Sequence, residues 1–263
     1  MEDFIRHRIS DLAQQADRTG SFTFSPFLNE AELADYYALA PSLPNCGVTV
    51  WGGVADASRV MLRFGDPERL GYEVPFPIVC LKISPLQEKY ADDLTHRDFL
   101  GAVMHLGLER DVIGDILVTA KTAFLFCQET VADYLCGELS RVRHTAVKCE
   151  PVSDAPEHLR PKYEEQTHQT ASLRIDGVIA KVCRLSRSDC LTLFRAKKVF
   201  LNGRCTENSS TLLKEGDGVS VRGYGKFRFA GTAGTTRKGN LIIRTAHCTG
   251  YETDAGENGA DAL

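Results

Sequence analysis

Between residues 77 and 150 the chain alternates short apolar runs with helix-periodic segments in one fixed order: strand 77–83, helix 95–106, strand 115–119, strand 123–127, helix 129–139, strand 145–150. Strands this short, separated in this βαββαβ sequence, bury their apolar sides when both helices return to one face of an antiparallel sheet. That is the split-βαβ, ferredoxin-like arrangement. Upstream, Phe4, Ile5, Ile9, Leu12, Ala13 and Ala16 mark an amphipathic helix over 1–18, and Asn29 followed by Glu32 caps a second helix that runs to Leu39. Two β-like runs, 47–53 and 59–64, then read as a hairpin. The expected class is α+β, a class that hosts many unrelated activities.

Downstream, residues 151–170 hold three prolines and no apolar period, so a linker is expected at 151–171. Two short helices, a strand reaching an Asn-Gly turn, a further strand after Asp217 and a second hairpin follow, which predicts a small α/β module over 172–247 in which two helices pack on an antiparallel sheet. The expected divisions are 1–75, 76–150, 151–171, 172–247 and an acidic, disordered tail at 248–263. No apolar run is long enough to span a bilayer, and the N-terminus lacks the apolar block of a secretory signal, so a cytoplasmic chain with no membrane partner is expected. The nine cysteines are scattered, without a Cys-x-x-Cys or a zinc-like Cys/His spacing; most are expected to be reduced, and no metal site is expected.

Charge is the feature that singles out one part of the chain. Between Ser172 and His247 there are 15 Lys/Arg against 5 Asp/Glu, whereas the rest carries 16 against 30. Such a contrast suits contact with a polyanion. Ser186 and Asp189 form a capping box for the second helix of the module, which accounts for those two residues. Arg187 in the first turn opposes the helix dipole, so helix stability does not explain it. Arg174 and Lys181 sit on the preceding helix, Arg195 near the end of the second, and Lys197 and Lys198 just beyond. Leu191, Leu193 and Phe194 would close the helices onto the strands and leave the cations outside, as phosphate-backbone binding requires; an ordinary solvated basic surface is the competing reading. In the late hairpin Tyr224 and Phe227 interleave with Arg222, Lys226 and Arg228, a mixture able to stack bases and neutralise phosphates.

The stretch from Leu173 to Arg204 resembles the RNA-binding domain first seen in ribosomal small-subunit protein four, through Arg174 and Asp176, the "LSRS" at 185–188, the basic helix end, the "NGR" of Asn202, Gly203 and Arg204, and the "K-x-GD" of Lys214 to Asp217. The resemblance implies that Arg187, Ser188, Arg195, Lys197 and Lys198 line an RNA face, with Asn202 and Gly203 shaping the hairpin beside it. A second resemblance, carried by residues 76–118, the "VADYL" at 131–135 and the late "RGYGKFRF", is to the YlmH family of bacterial proteins. It implies a non-enzymatic, ribosome-associated RNA-binding protein. The expected partners are structured RNA, namely ribosomal RNA of the large subunit with tRNA as a further candidate, and a role in handling stalled nascent chains. It implies no cofactor, no small-molecule substrate and no catalytic residue.

Three other readings compete. His96, Arg97 and Asp98 spell the kinase catalytic triplet, but Val103 stands where that loop needs Asn, and there is neither a Gly-rich loop nor a later Asp-Phe-Gly. Thr95 and Asp98 instead cap a helix, leaving His96 and Arg97 as candidates for a second contact surface. Asp92 and Asp93, with Glu88, lack the partner that acid–base chemistry needs. The alternative from another class is an RNA-modifying enzyme, of the pseudouridine synthase or methyltransferase kind, that uses the basic module for delivery. The Arg-Leu-Asp context of the former and the Gly-rich cofactor turn of the latter are both missing.

Overall fold

A computed structural model describes residues 2–55, 57–119, 121–152 and 160–252. The chain divides into two compact units, with the boundary between Arg160 and Pro161 and the second unit ending at Thr249.

The first unit begins with α1 (Glu2–Thr19), β1 (Thr23–Phe24), α2 (Glu30–Leu39), β2 (Val48–Trp51), β3 (Met61–Phe64) and the single-turn α3 (Pro67–Leu70). The expected hairpin forms, β2 pairing antiparallel with β3, and β1 adds a third strand on the other side of β3. Asn29 caps α2 through the Glu32 box. Ile9, Ala13 and Ala16 of α1 pack with Leu28, Tyr36, Leu62 and Phe64. Next come β4 (Ile78–Pro85), α4 (His96–His105), β5 (Ile113–Val118), β6 (Ala123–Gln128), α5 (Glu129–Glu138), β7 (Arg141–Val142) and β8 (Thr145–Val152). Their sheet runs β5-β6-β4-β8-β7, with the first strand of the βαββαβ run lying between the third and the fourth. One face buries Leu81, Ile83, Leu125, Cys127 and Val147 together with Phe99 and Val103 of α4 and Leu135 of α5.

The opposite face holds Cys80, Leu117, Phe124 and Phe126, against which Val54 packs. Gly53 lies at φ +92°, and a Cβ there would stand 2.4 Å from the Phe126 ring, so only glycine lets this segment lie on the sheet. Arg59 completes the join: its Nε donates to the Ile113 carbonyl, and its Nη2 donates to the carbonyls of Phe27 and Arg110, each at 2.9 Å. The backbone N–H groups of Ser58 and Arg59 donate to the buried Asp115 carboxylate. The N-terminal helices and hairpin therefore belong to the same compact unit as the βαββαβ sheet.

The second unit contains β9 (Arg160–Thr170), α6 (Ile175–Val182), α7 (Arg187–Arg195), β10 (Val199–Leu201), β11 (Arg204–Cys205), β12 (Gly218–Val221), β13 (Gly225–Thr235) and β14 (Leu241–Glu252). Its sheet order is β11-β10-β12-β13-β14-β9. Ile175, Val178 and Ile179 of α6 and Leu193 and Phe194 of α7 pack on Val199, Val219, Val221, Phe227, Phe229 and Ile243. The α+β class holds for both units.

Two expectations need correction. Residues 160–170, read as the end of a linker, form β9 at one edge of the second sheet. The strand was hidden because its sequence carries Tyr, Glu, Gln, Thr and His where an apolar alternation would be sought; an edge strand tolerates polar side chains, and Pro161 near its start costs the sheet no central hydrogen bond. At the other end, β14 runs on through Glu252, so residues 248–252 are strand rather than tail. The rest of the expected tail, and residues 153–159 of the expected linker, lie outside the described residues. Among the described residues, no helix is long and apolar enough to cross a membrane.

Candidate nucleic-acid interface

The α6–α7 pair is fixed at both ends of its connection. Ser186 accepts the backbone N–H of Asp189 at 3.1 Å and donates its hydroxyl to the Asp189 carboxylate at 2.6 Å, while its oxygen also lies 2.8 Å from that of Ser188. Cys190, Leu193 and Phe194 are buried. This leaves Arg187, Leu191 and Arg195, spaced four apart, on the outward row, where all three are exposed. At 1.5 Å per residue the two arginines stand about 12 Å apart along the helix axis.

Both helices end in the same unusual way. Beyond α7, Lys197 N–H donates to Phe194 O at 3.0 Å and Lys198 N–H to Leu193 O at 2.9 Å, with Lys197 at φ +54°. Beyond α6, Leu185 N–H donates to Ala180 O at 2.9 Å, with Arg184 at φ +54°. These are Schellman-type ends, whose left-handed residue is usually glycine. A long cation at each of these positions bears a left-handed cost of roughly 1–2 kcal/mol, eased by the favourable charge at a helix C-terminus. Arg184 escaped the sequence reading, because nothing in "CRLS" announces a left-handed residue. Lys198 is pinned a second time, its carbonyl accepting Arg222 N–H at 2.9 Å.

Other expected site residues serve the fold. Arg174 donates Nε and Nη2 to Asp176, at 3.1 and 2.9 Å, and holds that carboxyl below the usual range. Asn202 and Gly203, at φ +51° and +75°, make the two-residue turn from β10 to β11. The Asn202 amide donates to Asp217 at 2.9 Å while its oxygen accepts Gly218 N–H at 2.8 Å. Lys197 reaches Glu207 at 3.6 Å, but both side chains are about two-thirds exposed, and such a pair contributes well under about 1 kcal/mol. Lys181, Arg204 and Lys226 are exposed, as is Tyr224 in the turn joining β12 to β13.

His96 and Arg97 open α4 in the first unit, beside Asp98, which accepts Thr95 N–H at 2.8 Å and lies 3.7 Å from Arg143. The structure thus brings Arg187, Ser188, Arg195, Lys197 and Lys198 together on one module and leaves His96 and Arg97 on the other unit. Asp92 and Thr145 bond to each other, which gives that carboxylate a structural task. Among the described residues, no group of three His, Cys, Asp or Glu side chains is placed to hold a metal ion.

Fold and surface together define a class: an α+β chain of two units whose C-terminal unit displays cations on rigidly capped helices. Residues 73–155 match the family model described as "Putative RNA-binding domain in YlmH". The match takes in residues 76–118 and 131–135, through which the sequence resembles the YlmH family, and it supports that resemblance at 73–155. The chain is 32% identical over 154 residues to "Ribosome-associated protein quality control protein P2" of Bacillus subtilis (strain 168), an alignment covering 57% of this chain and 60% of that protein. It thus spans about three-fifths of the length of that relative. A solved structure, "Cell division protein ylmH from Streptococcus pneumoniae", aligns over 57% of this chain and 90% of its own at 17% identity, with a TM-score of 0.46.

Proposed function

We propose that this protein binds structured RNA at the ribosome, without catalysing a reaction, and acts in the cytoplasm in ribosome-associated quality control. The observation that carries the reading is the outward row of Arg187 and Arg195 on α7, flanked by Arg184, Lys197 and Lys198 at Schellman-type helix ends. Cations held by capped, packed helices face a phosphate backbone with little ordering left to do on binding, and they read its contour rather than its sequence. The family description at 73–155 and the printed name of the Bacillus subtilis relative support an RNA and ribosome setting. Ribosomal RNA of the large subunit is the proposed target, with tRNA as a second contact; His96 and Arg97 are proposed as a contact surface on the first unit. No cofactor, metal or small-molecule substrate enters this reading.

The test is crosslinking of the full chain to RNA in lysate, with sequencing of the attached fragments, beside a purified binding assay. Fragments concentrated in large-subunit ribosomal RNA or tRNA are expected. Arg187→Ala with Lys198→Ala should weaken binding about tenfold or more at 150 mM salt, an assay choice, and shift the melting temperature by less than about 2 °C, since both side chains are exposed. Unchanged binding by the double variant would remove this face from the proposal. Turnover of a modified nucleotide by the pure protein would replace it with the RNA-modifying reading.

A further inference from the structure

The sheet of the second unit has a side that the helices leave open. Phe227 and Phe229 of β13, Val219 and Val221 of β12 and Ile243 of β14 face α6 and α7. Strand alternation sends Lys226, Arg228 and Arg244 to the other side, where all three are exposed. Lys226 and Arg228, two residues apart on one strand, stand about 7 Å apart. Arg222, at the end of β12, joins them.

Three features distinguish this side from a solvated charged surface. First, its cations are braced: the Arg228 guanidinium lies over the Tyr163 ring at 5.5 Å, the Arg222 guanidinium lies over the Phe200 ring at 5.6 Å, and Arg244 Nη2 donates to the Ala230 carbonyl at 3.3 Å. Second, the positions paired with them are small: Arg228 sits between Gly218 and Ala246, and Lys226 beside Ser220, so a chain can approach the backbone closely. Third, the strand beyond, β9, adds an aromatic ring that is 38% exposed, Tyr163, with the exposed Glu165 two residues further along the strand. Cations that track a backbone together with a ring on which a base can stack are the combination used for unpaired nucleic acid. The helix edge differs, presenting its cations as a row with no exposed aromatic side chain on α6 or α7.

We infer that the open side of the β12-β13-β14-β9 sheet is a second RNA-contact face, one that takes an unpaired strand through Arg228, Arg244 and Lys226 on its phosphates and Tyr163 against a base. The inference rests on the RNA-binding reading above, and it assigns a different RNA form to each face of the same module.

The test measures fluorescence anisotropy of the full chain with two labelled probes, an oligouridylate of about 12 nucleotides and a stable RNA hairpin, at low salt. Arg228→Glu with Arg244→Glu should weaken the oligouridylate about tenfold or more while changing the hairpin by less than about threefold. Arg187→Ala with Lys198→Ala should do the reverse. Tyr163→Ala, which leaves the charge unchanged, should weaken the oligouridylate several-fold and guards against a folding defect in the charge-reversed variant. Oligouridylate binding that survives both Tyr163→Ala and the charge reversal overturns the inference and leaves the RNA reading intact, as does a wild-type chain that binds the hairpin alone. Loss of a protein partner from the charge-reversed variant with both RNA affinities unchanged overturns it in favour of a protein-docking face. A wild-type chain that binds neither probe overturns the RNA reading itself.

Discussion

Asn202 is placed where its backbone needs a left-handed residue and its side chain closes a second loop. Its amide group spans the carboxylate of Asp217 and the N–H of Gly218, and Asp217 in turn accepts Lys214 N–H at 2.7 Å. Asn202→Ala removes both bonds and puts a Cβ-bearing residue without local compensation at φ +51°, so it should lower stability by about 1–2 kcal/mol in a denaturant titration. Asn202→Gly keeps the turn and should lose about 1 kcal/mol or less. If the alanine variant is as stable as wild type, the clamp does not exist in solution. The Asn-Gly pair made this turn legible in the sequence, since few dipeptides supply two positive φ values in succession. The cations at Arg184 and Lys197 were legible as charges only. A helix end of this kind is advertised by glycine, and here the glycine is missing, so the geometry that fixes the backbone at those two residues had no signal in the letters.

Among the elements, β9 was the hardest to read and has the most consequences. Its inward side chains, of which His168 is one, meet β14, and the His168 and His247 rings lie 6.4 Å apart, with Phe227 5.7 Å from His247. Burial, and then the charges of His247 and Arg184, hold His168 below its ordinary pKa; burial lowers His247 while Glu164 opposes that shift. Neutral imidazoles are therefore favoured in the fold and protonated ones in the unfolded chain. In the window from about pH 6.5 downward to the depressed folded values, the unfolded state binds more protons, and stability falls as pH falls. Melting of the full chain should show the transition of the second unit moving to lower temperature between pH 7.5 and 5.5, and His168→Gln should flatten that dependence. A melting curve indifferent to pH in both proteins would show that the pair does not titrate in this range. The βαββαβ run was legible because its strands have apolar sides and the first of its helices, α4, has a capping box in Thr95 and Asp98. An edge strand facing a histidine-lined seam offers no such period, which is why an apparent linker turned out to be sheet.

At the scale of the molecule, charge separates what packing also separates: the basic excess falls within Ser172 to His247, and the second compact unit runs from Pro161 to Thr249. The match to the YlmH domain, by contrast, covers only 73–155, a span that ends before the basic unit and begins after the helices and hairpin that complete the first one. Arg59 lies outside that span, yet it is the residue whose guanidinium engages Ile113 and Arg110 within it, and Gly53 and Val54 lie on Phe126 and its neighbours. A gene fragment trimmed to the borders of sequence kinship would take from Asp115 the two amides that bond it and strip the cover from the apolar side of the sheet formed by Cys80, Leu117, Phe124 and Phe126. Expressed alone, 73–155 should elute as aggregate in gel filtration, whereas a fragment starting at residue 1 should elute as a discrete species; the inherited module and the piece able to stand by itself are different lengths of the same chain.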